Sequence, residues 1–284
     1  MTAARAAIGG RGATRTAWDT GAKGAISGAA MTRAPHDLIF SVHIPKTGGT
    51  SFAEVLRHAY GRRVAFAYGP HHARTHPLLR ELGKKADRAV VAQLAEEGVR
   101  VVHGHFSASV FADAVPDPSR YWIWLREPVE RTISHFHFFK DKHAARGALG
   151  TQVAAGTLPL TAFAAHPAIR NLQARHVGPF AVSEFGFVGV TEHMTAGLRQ
   201  LGLSAPVGRT PTANVNREKP EFDRQTRAAI AAENITDVAV YSEGLRVFLE
   251  RERRPGSVRA PQTLGFVART LDRWRTAPAP ERAE

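Results

Sequence analysis

The sequence predicts an α/β fold with an open parallel β-sheet flanked by helices. Apolar runs alternate with helical patterns, and this alternation is typical of parallel sheets. Motifs rich in glycine, arginine or histidine follow the apolar runs, and ligands of such sheets bind beyond the carboxyl ends of strands. We therefore expect these motifs to share one site. The predicted strands are Leu38 to Ile44, Val99 to Val102, Tyr121 to Leu125 and Phe187 to Val190.

A glycine-rich segment, Pro45-Lys46-Thr47-Gly48-Gly49-Thr50-Ser51, joins the first predicted strand to an amphipathic helix. Glycines let the backbone approach a ligand, successive N–H groups and the helix start attract an anion, and Lys46 adds a positive charge. In the GxxxxGK[ST] loop the lysine follows the glycines, whereas Lys46 precedes them here. The segment predicts a phosphate-binding loop of another kind. Its binding residues are Lys46, Thr47, Gly48, Gly49, Thr50 and Ser51.

The second predicted strand ends in His103-Gly104-His105. Residues two apart on a strand point the same way, so the two imidazoles are expected to lie on one side. An imidazole there can supply a general base that works near neutral pH. Two other interpretations stay open: a structural role, or a pair of metal ligands. The chain has no cysteine, and nothing requires the upstream histidines to converge on this pair.

The third predicted strand ends at Arg126, and Pro128 suits the first turn of the helix that follows. Val129, Ile133 and Phe136 fall at helical spacing, so this face is expected to pack on the sheet. Arg126 and Ser134 can then approach one another, and a guanidinium with a hydroxyl suits a phosphate monoester. The alternative is a helix start with solvated charges.

These motifs resemble those of sulfotransferases that use 3′-phosphoadenosine-5′-phosphosulfate (PAPS). The order of the loop, His-Gly-His and Leu-Arg-Glu-Pro-Val-Glu-Arg-x-x-Ser is similar to that in sulfotransferase family 2, in particular the heparan sulfate and uronyl 2-O-sulfotransferases. The resemblance covers roughly residues 38 to 248 and implies the P-loop-like PAPS sulfotransferase fold. Golgi members carry a membrane anchor that is absent from this sequence, so the resemblance is to a soluble, bacterial-type member.

The resemblance also implies roles for individual residues. Residues 46 to 51 would bind the 5′-phosphosulfate of PAPS, the co-substrate, while Arg126 and Ser134 would hold its 3′-phosphate. His105 would be the catalytic base, His103 its assistant, and Lys46 would neutralise charge on the departing phosphate. The acceptor would be a hydroxyl group of a glycan or glycolipid. No metal is required by this chemistry.

Three later stretches also resemble family segments. Asn171-Leu-Gln-Ala-Arg175 is similar to a segment near the acceptor cleft, although Asn171 and Gln173 would equally serve to fix a loop. Thr191 and Glu192 stand where a helix cap and a first-turn acid belong. Asn214 to Lys219 occupies the region where family members close a loop over the nucleotide, so Arg217 is expected to add a phosphate contact.

Composition and charge indicate three regions: a disordered N-terminal extension over residues 1 to 36, a sulfotransferase domain over 37 to 250, and a charged tail over 251 to 284. About half of the formal charge of +13 lies on the terminal segments. A basic core suits a polyanionic donor. No nucleic-acid motif is present, so no nucleic-acid partner is expected. The basic tails could contact anionic membranes loosely.

No apolar stretch reaches the roughly 18 residues of a membrane span, and the absence of cysteine is compatible with the cytosol, so we expect a cytoplasmic protein. A small-molecule kinase is an alternative, but it would need magnesium ligands and the GK[ST] hydroxyl. A non-catalytic nucleotide-binding protein is another. The presence of Lys46, His103 and His105 argues against a protein that has lost catalytic activity.

Overall fold

The computed structural model describes residues 38–142, 147–204 and 221–253. Over these residues five strands form one sheet in the order β2-β3-β1-β4-β5. The strands are β1 (Ile39–Val42), β2 (Val64–Ala67), β3 (Val101–Gly104), β4 (Tyr121–Leu125) and β5 (Phe187–Val190). Every neighbouring pair is parallel, so the predicted parallel α/β fold is confirmed.

Three strands differ from the predictions. β4 and β5 coincide with their runs, whereas β1 covers only Ile39–Val42. β3 lies two residues later than its run, over Val101–Gly104, and so includes the first histidine of His-Gly-His. β2 is not predicted from the sequence. It has four residues at the edge of the sheet, directly after two arginines, and so short a run does not separate a strand from a helical turn.

The helices lie between and after the strands. They are α1 (Gly49–Tyr60), α2 (Arg88–Glu96), α3 (Pro128–Lys142), α4 (Gly147–Ala154), α5 (Leu160–Ala165), α6 (Leu172–Val177), α7 (Met194–Gln200), α8 (Arg224–Glu233) and α9 (Ile235–Arg253). Phe52, Val55 and Leu56 give α1 one buried apolar stripe, because residues three and four apart share a face.

Alternate residues of the strands enter two apolar layers on opposite faces of the sheet. Along β4, Tyr121, Ile123 and Leu125 belong to one buried cluster, whereas Trp122 and Trp124 belong to another. α1 and α7 contribute to the tryptophan side, and α2 and α9 to the opposite side. Both faces of the parallel sheet are thus covered, as its apolar strands require.

α3 packs on other helices, and the expectation that its apolar face meets the sheet is wrong. Val129 and Ile133 are buried in a third cluster with residues of α4, α5 and α8, and Phe136 packs against the same cluster. Helical periodicity shows that a face is buried but not which element buries it.

The strand order reverses at the centre of the sheet, between β1 and β4. From β1 the chain crosses to β2 and returns to β3 on one side, and it then moves to β4 and β5 on the other. Such a reversal opens a crevice at the carboxyl ends of the two central strands. The glycine-rich loop follows β1 and Arg126 follows β4, so the topology brings both to this crevice.

Several sequence-based predictions fall on residues that the structure does not describe. These are the extension over residues 1 to 36, most of the tail after residue 250, and the loop with Arg217 and Lys219. The last described helix ends at Arg253. None of the described helices is long and apolar enough to cross a membrane.

Candidate functional site

The glycine-rich loop turns sharply between β1 and α1. Lys46 has a φ of 73° and Gly48 a φ of 78°, both in the left-handed region. For glycine this conformation is easy, but for a lysine it costs about 1–2 kcal/mol and is found mainly at turns and ligand sites. Thr47, between them, is fully buried, and its hydroxyl donates to the carbonyl of Ile44 at 3.0 Å. The Thr47 side chain is therefore engaged in shaping the loop.

α1 begins at Gly49 without a side-chain cap or an acidic residue in its first turn. The N–H groups at a helix start lack partners within the helix, and together with the helix dipole they attract anions. Thr50 is exposed and Ser51 half-buried at this end. The start of α1 thus offers the anion-binding groups that the sequence predicts.

Two cationic side chains meet the loop. The ammonium group of Lys46 lies 4.3 Å from the centre of the Phe138 ring, a cation–π contact with α3. The Arg126 guanidinium donates from Nη1 to the carbonyl of Lys46 at 3.1 Å, so the loop after β1 and the end of β4 are joined directly. Ser134 is half-buried on α3, one helical turn before Phe138 and on the same helix face.

Gln173 fixes the backbone of Arg126. Its side-chain amide accepts from the Arg126 N–H at 2.9 Å and donates to the Arg126 carbonyl at 2.8 Å, and the residue is fully buried. The backbone N–H groups of Gln173 and Ala174 donate to the two carboxylate oxygens of Asp237 at 3.1 and 2.8 Å. α9, which carries Asp237, thereby fixes the start of α6 and, through it, Arg126.

Asp237 and Arg131 form a fully buried ion pair, with Arg131 Nε 3.8 Å from the carboxylate. Burial raises the pKa of Asp237 and lowers the pKa of Arg131 to about 10. The backbone donors to Asp237 and the opposite charge of each partner oppose these shifts, and Arg131 remains ionised at neutral pH. The sequence analysis did not single out either residue. Arg131 belongs to the Val-Glu-Arg part of the α3 motif, and this motif was the sequence feature that could have identified it.

Asn171 has the structural role considered from the sequence. Its side-chain oxygen accepts from the backbone N–H of Thr236 and Asp237 at 3.1 and 3.2 Å. With a φ of 49° it starts α6, so it fixes a junction between α6 and α9.

Thr191 does not cap a helix, contrary to the expectation from the sequence. Its hydroxyl lies 2.9 Å from the carbonyls of both Thr47 and Leu125, so it links the loop to the end of β4. Glu192 does occupy the first helical turn after β5, and its carboxylate accepts from the N–H of Glu127 at 2.9 Å.

His105 lies at the exposed end of β3, with a defined tautomer. Its Nδ1 is 2.9 Å from the carbonyl of His43, so this nitrogen carries the proton and donates. Nε2 is then the unprotonated nitrogen of the neutral ring, which is the arrangement a general base needs. The neighbouring rings exclude water from much of the imidazole, and this desolvation lowers its pKa below the usual 6.5.

His103 is buried with 1% exposure, behind His105. Its Nδ1 lies 2.9 Å from the Ser41 hydroxyl. Burial, with repulsion from His105, lowers its pKa to about 3, so it is neutral at physiological pH. The structure thus brings both predicted histidines to one site but leaves only His105 accessible to an acceptor.

His43 belongs to the same site, although the sequence analysis treated it as part of the first strand. Its ring stacks on His105 with 4.2 Å between ring centres and on His103 with 5.1 Å. Tyr68, after β2, contacts the rings of His43 and His105 edge-on. His43 directly precedes Ile-Pro-Lys, and this position could have marked it as a site residue. The sequence analysis instead counted it within the apolar run of the first strand.

A cavity of about 640 Å³ opens beside α6. It is lined by Ala165, Pro167, Arg170, Asn171, Ala174, Arg175 and Thr236. The backbone carbonyl of Arg175 accepts from the hydroxyl of Ser107 at 2.8 Å, which ties this wall to the segment just after His105. His176, the next residue of α6, is electrostatically coupled to His105.

The described residues contain no group of three or more histidine, aspartate or glutamate side chains arranged to hold a metal ion. The Nδ1 atoms of the pair have other partners: His105 Nδ1 donates to a backbone carbonyl, and His103 Nδ1 faces a hydroxyl. The interpretation of His-Gly-His as a metal-ligand pair gains no support from this geometry.

A scan against protein-family models gave no match, and a search of curated proteins gave none either. Among solved structures, the chain is similar to the mouse sulfotransferase SULT7A1 complexed with PAP. The two share 14% identity with a TM-score of 0.35, over 84% of this chain and 88% of the mouse chain. At this level of likeness the assignment of function rests on the residues of the site.

Proposed function

We propose that the protein is a sulfotransferase that transfers the sulfuryl group of PAPS to a hydroxyl acceptor. The observation that carries the proposal is the hydrogen bond from Arg126 to the carbonyl of Lys46. It joins two segments suited to separate phosphate groups, at the end of the sheet where His105 presents an unprotonated Nε2. A donor with phosphates at both its 3′ and 5′ positions matches such a pair of sites.

The donor would be held by groups from β1, α1, β4 and α3. The start of α1 with Gly48, Gly49, Thr50 and Ser51 would bind the 5′-phosphosulfate through N–H and hydroxyl donors, as would the backbone of Thr47. Arg126 and Ser134 would bind the 3′-phosphate. Arg217, outside the described residues, is proposed as a further phosphate contact.

The reaction would be an in-line transfer. The acceptor oxygen forms a bond to sulfur while the bond from sulfur to the phosphate oxygen breaks, and the acceptor proton passes to Nε2 of His105. Lys46 would stabilise the negative charge that develops on the departing phosphate oxygen. The products are a sulfate ester and adenosine 3′,5′-bisphosphate. As in phosphoryl transfer, positioning and charge stabilisation supply most of the rate.

The acceptor hydroxyl would approach His105 from the side of α6. The cavity there is lined by Arg170, which is paired with Glu233, and by Arg175, whose guanidinium donates to backbone carbonyls. The positive charge of Arg175 favours an acceptor that carries negative charge. Within the proposed function a glycan or glycolipid hydroxyl is the acceptor class that we infer.

The first test is calorimetric binding of adenosine 3′,5′-bisphosphate in the absence of magnesium. Wild type should bind, and both Lys46→Ala and Arg126→Ala should bind more weakly, by about 1.5–3 kcal/mol for a charge-assisted contact. Arg246→Ala is the matched control, because Arg246 is exposed on α9 and forms its ion pairs with Glu243 and Glu250 of the same helix. No binding, together with magnesium-dependent binding of ATP, would refute the proposal in favour of a kinase.

The catalytic role of His105 is tested by turnover. His105→Ala should lower the rate by about 10²- to 10⁴-fold, the usual contribution of a general base, while bisphosphate binding is retained. Because burial lowers the pKa of His105, activity should fall with decreasing pH only below the range of an ordinary histidine. A wild type that binds the bisphosphate but transfers no sulfuryl group to any hydroxyl acceptor would point to a non-catalytic binding protein.

A further inference from the structure

The ring of His43 lies between the glycine-rich loop and the candidate base. It stacks on His105 with 4.2 Å between ring centres and 29° between planes. It also lies so close to the backbone of Gly49 that a Cβ at position 49 would overlap the imidazole. His43 is 7% exposed, so the ring is confined between the first residue of α1 and the His105 ring.

The backbone of His43 is joined to the same histidine segment. Its N–H donates to the carbonyl of Gly104 at 2.8 Å, and its carbonyl accepts from Nδ1 of His105 at 2.9 Å. The bond to Nδ1 selects the tautomer of His105, but a single hydrogen bond leaves the ring free to tilt, and tilting weakens that bond. Tyr68 contacts the ring edge-on, and the stacked ring of His43 is the contact that defines its plane.

The His43 ring itself is unsuited to proton transfer. Its Nδ1 is buried and has no hydrogen-bond partner within the part of the chain that the structure describes. Burial, and then repulsion from His103 and His105, keep its pKa well below 6.5, so the ring is neutral. Its contribution is therefore the shape and position of a planar ring.

We propose that His43 is a positioning residue, whose ring transmits the conformation of the glycine-rich loop to His105 and holds the His105 ring with Nδ1 protonated. The role in turnover rests on the proposed sulfotransferase function, whereas the control of the His105 ring does not. Because Gly49 begins the helix that would bind the 5′-phosphosulfate, the loop and the base are mechanically coupled through one side chain.

Other groups also act on His105 and must be separated from His43. Those that contact it or couple to it electrostatically come from the ends of β2 and β3, from the loop after β2 and from α6. They are Tyr68, His72, His103 and His176. Lys46 acts on the ring of His43 itself. Each of these stays in place when only His43 is changed.

The first experiment measures the ring nitrogens of His105 by NMR in the full chain without ligand, over a pH titration. In wild type we expect one tautomer, with the proton on Nδ1. In His43→Ala the carbonyl at position 43 remains, but the flanking ring is lost and water enters. The His105 ring can then tilt away from that carbonyl, so the two tautomers should mix and the pKa of His105 should rise toward 6.5. His43→Phe restores a flat ring and should restore the wild-type signals. The control is His58→Ala, an exposed residue on α1.

An unchanged tautomer and pKa in His43→Ala would overturn the proposal. If that variant fails to fold, His43→Phe decides the question alone, because loss of the single tautomer in it would show that ring shape is insufficient. Either result is independent of sulfotransferase activity.

The second experiment compares turnover with donor binding. His43→Ala should lower kcat by about 10- to 100-fold, as expected for a displaced catalytic group, and leave the Kd of the bisphosphate within about threefold. Wild-type kcat in this variant would contradict the proposal. Failure of wild type to bind the bisphosphate would instead refute the proposed function, and the NMR result would still decide the role of His43.

Discussion

At the scale of single residues, burial assigns different roles to chemically identical side chains. His43, His103 and His105 share one stack, but only His105 reaches solvent. A buried imidazolium loses its hydration, so the inner rings stay neutral and the outer ring is the one that can exchange a proton with an acceptor. Their spacing in the sequence predicts a shared location, but it does not predict which ring is accessible.

The neutral state of His103 makes stability depend on pH. Its folded pKa of about 3 lies below the unfolded value of 6.5. Between these values the unfolded chain binds a proton that the folded chain does not, so the free energy of unfolding falls as the pH falls and is unaffected above 6.5. One such group changes the free energy of unfolding by up to about 1.4 kcal/mol per pH unit.

Urea unfolding between pH 7.5 and 4.5 measures this dependence. His103→Gln should have a shallower slope than wild type, with part of the slope remaining because burial also lowers the pKa of His43 and His176. Equal slopes for the two proteins would show that His103 is protonated to the same extent in the folded and the unfolded chain.

Gly49 is required by the packing of His43. Gly49→Ala would place a methyl group in the imidazole, and we expect a loss of about 1–3 kcal/mol in the free energy of unfolding, as for an overpacked core. In His43→Ala the same substitution should cost much less, because contacting residues are coupled. Gly83→Ala is the control, since its Cβ would meet only a carbonyl oxygen at 3.9 Å. Equal urea midpoints for Gly49→Ala and Gly83→Ala would contradict this account.

At the scale of elements, α6 and α9 support the end of β4. Gln173 on α6 pairs with both backbone groups of Arg126, and Asp237 on α9 holds the N–H groups that start α6. Gln173 in the motif Asn-Leu-Gln-Ala-Arg thus acts by fixing Arg126, the residue proposed to hold the 3′-phosphate. Thr191 has a similar role between the loop and β4.

Removing Asp237 should therefore be costly. Asp237→Ala leaves the fully buried Arg131 without its counter-ion, and we expect a loss of about 3–5 kcal/mol in the free energy of unfolding. Glu233→Ala is the matched control, because it breaks an exposed pair with Arg170 at 3.6 Å that is worth about 1 kcal/mol or less. Urea unfolding of both variants tests the difference, and comparable losses would argue against a buried ion pair.

At the scale of the whole molecule, the strand order decides where the motifs meet. β1 is central and pairs with both β3 and β4, so the segments that follow these three strands share one end of the sheet. The glycine-rich loop, His105 and Arg126 come from those three segments.

Residues 1 to 36 are rich in Ala, Gly, Thr and Arg and have no apolar periodicity, so their deletion should leave folding and binding of the bisphosphate intact. We expect Tm to change by less than about 2 °C, well under the 2–4 °C that corresponds to 1 kcal/mol in a domain of this size. Deletion through Val42, which removes β1 from the centre of the sheet, should prevent folding and serves as the control. A large fall in Tm for the shorter deletion would place stabilising contacts in the extension.

The amino-acid sequence by itself determined the parallel α/β class, four of the five strands and the segments that make up the site, because apolar runs and glycine, arginine and histidine motifs are local patterns. The tertiary structure decided the rest. It placed α3 against helices, made His43 a neighbour of Gly49 and His105, and buried His103 and Arg131. These properties depend on contacts between residues far apart in the chain, and burial, which sets the charge of each imidazole, exists only once those contacts form.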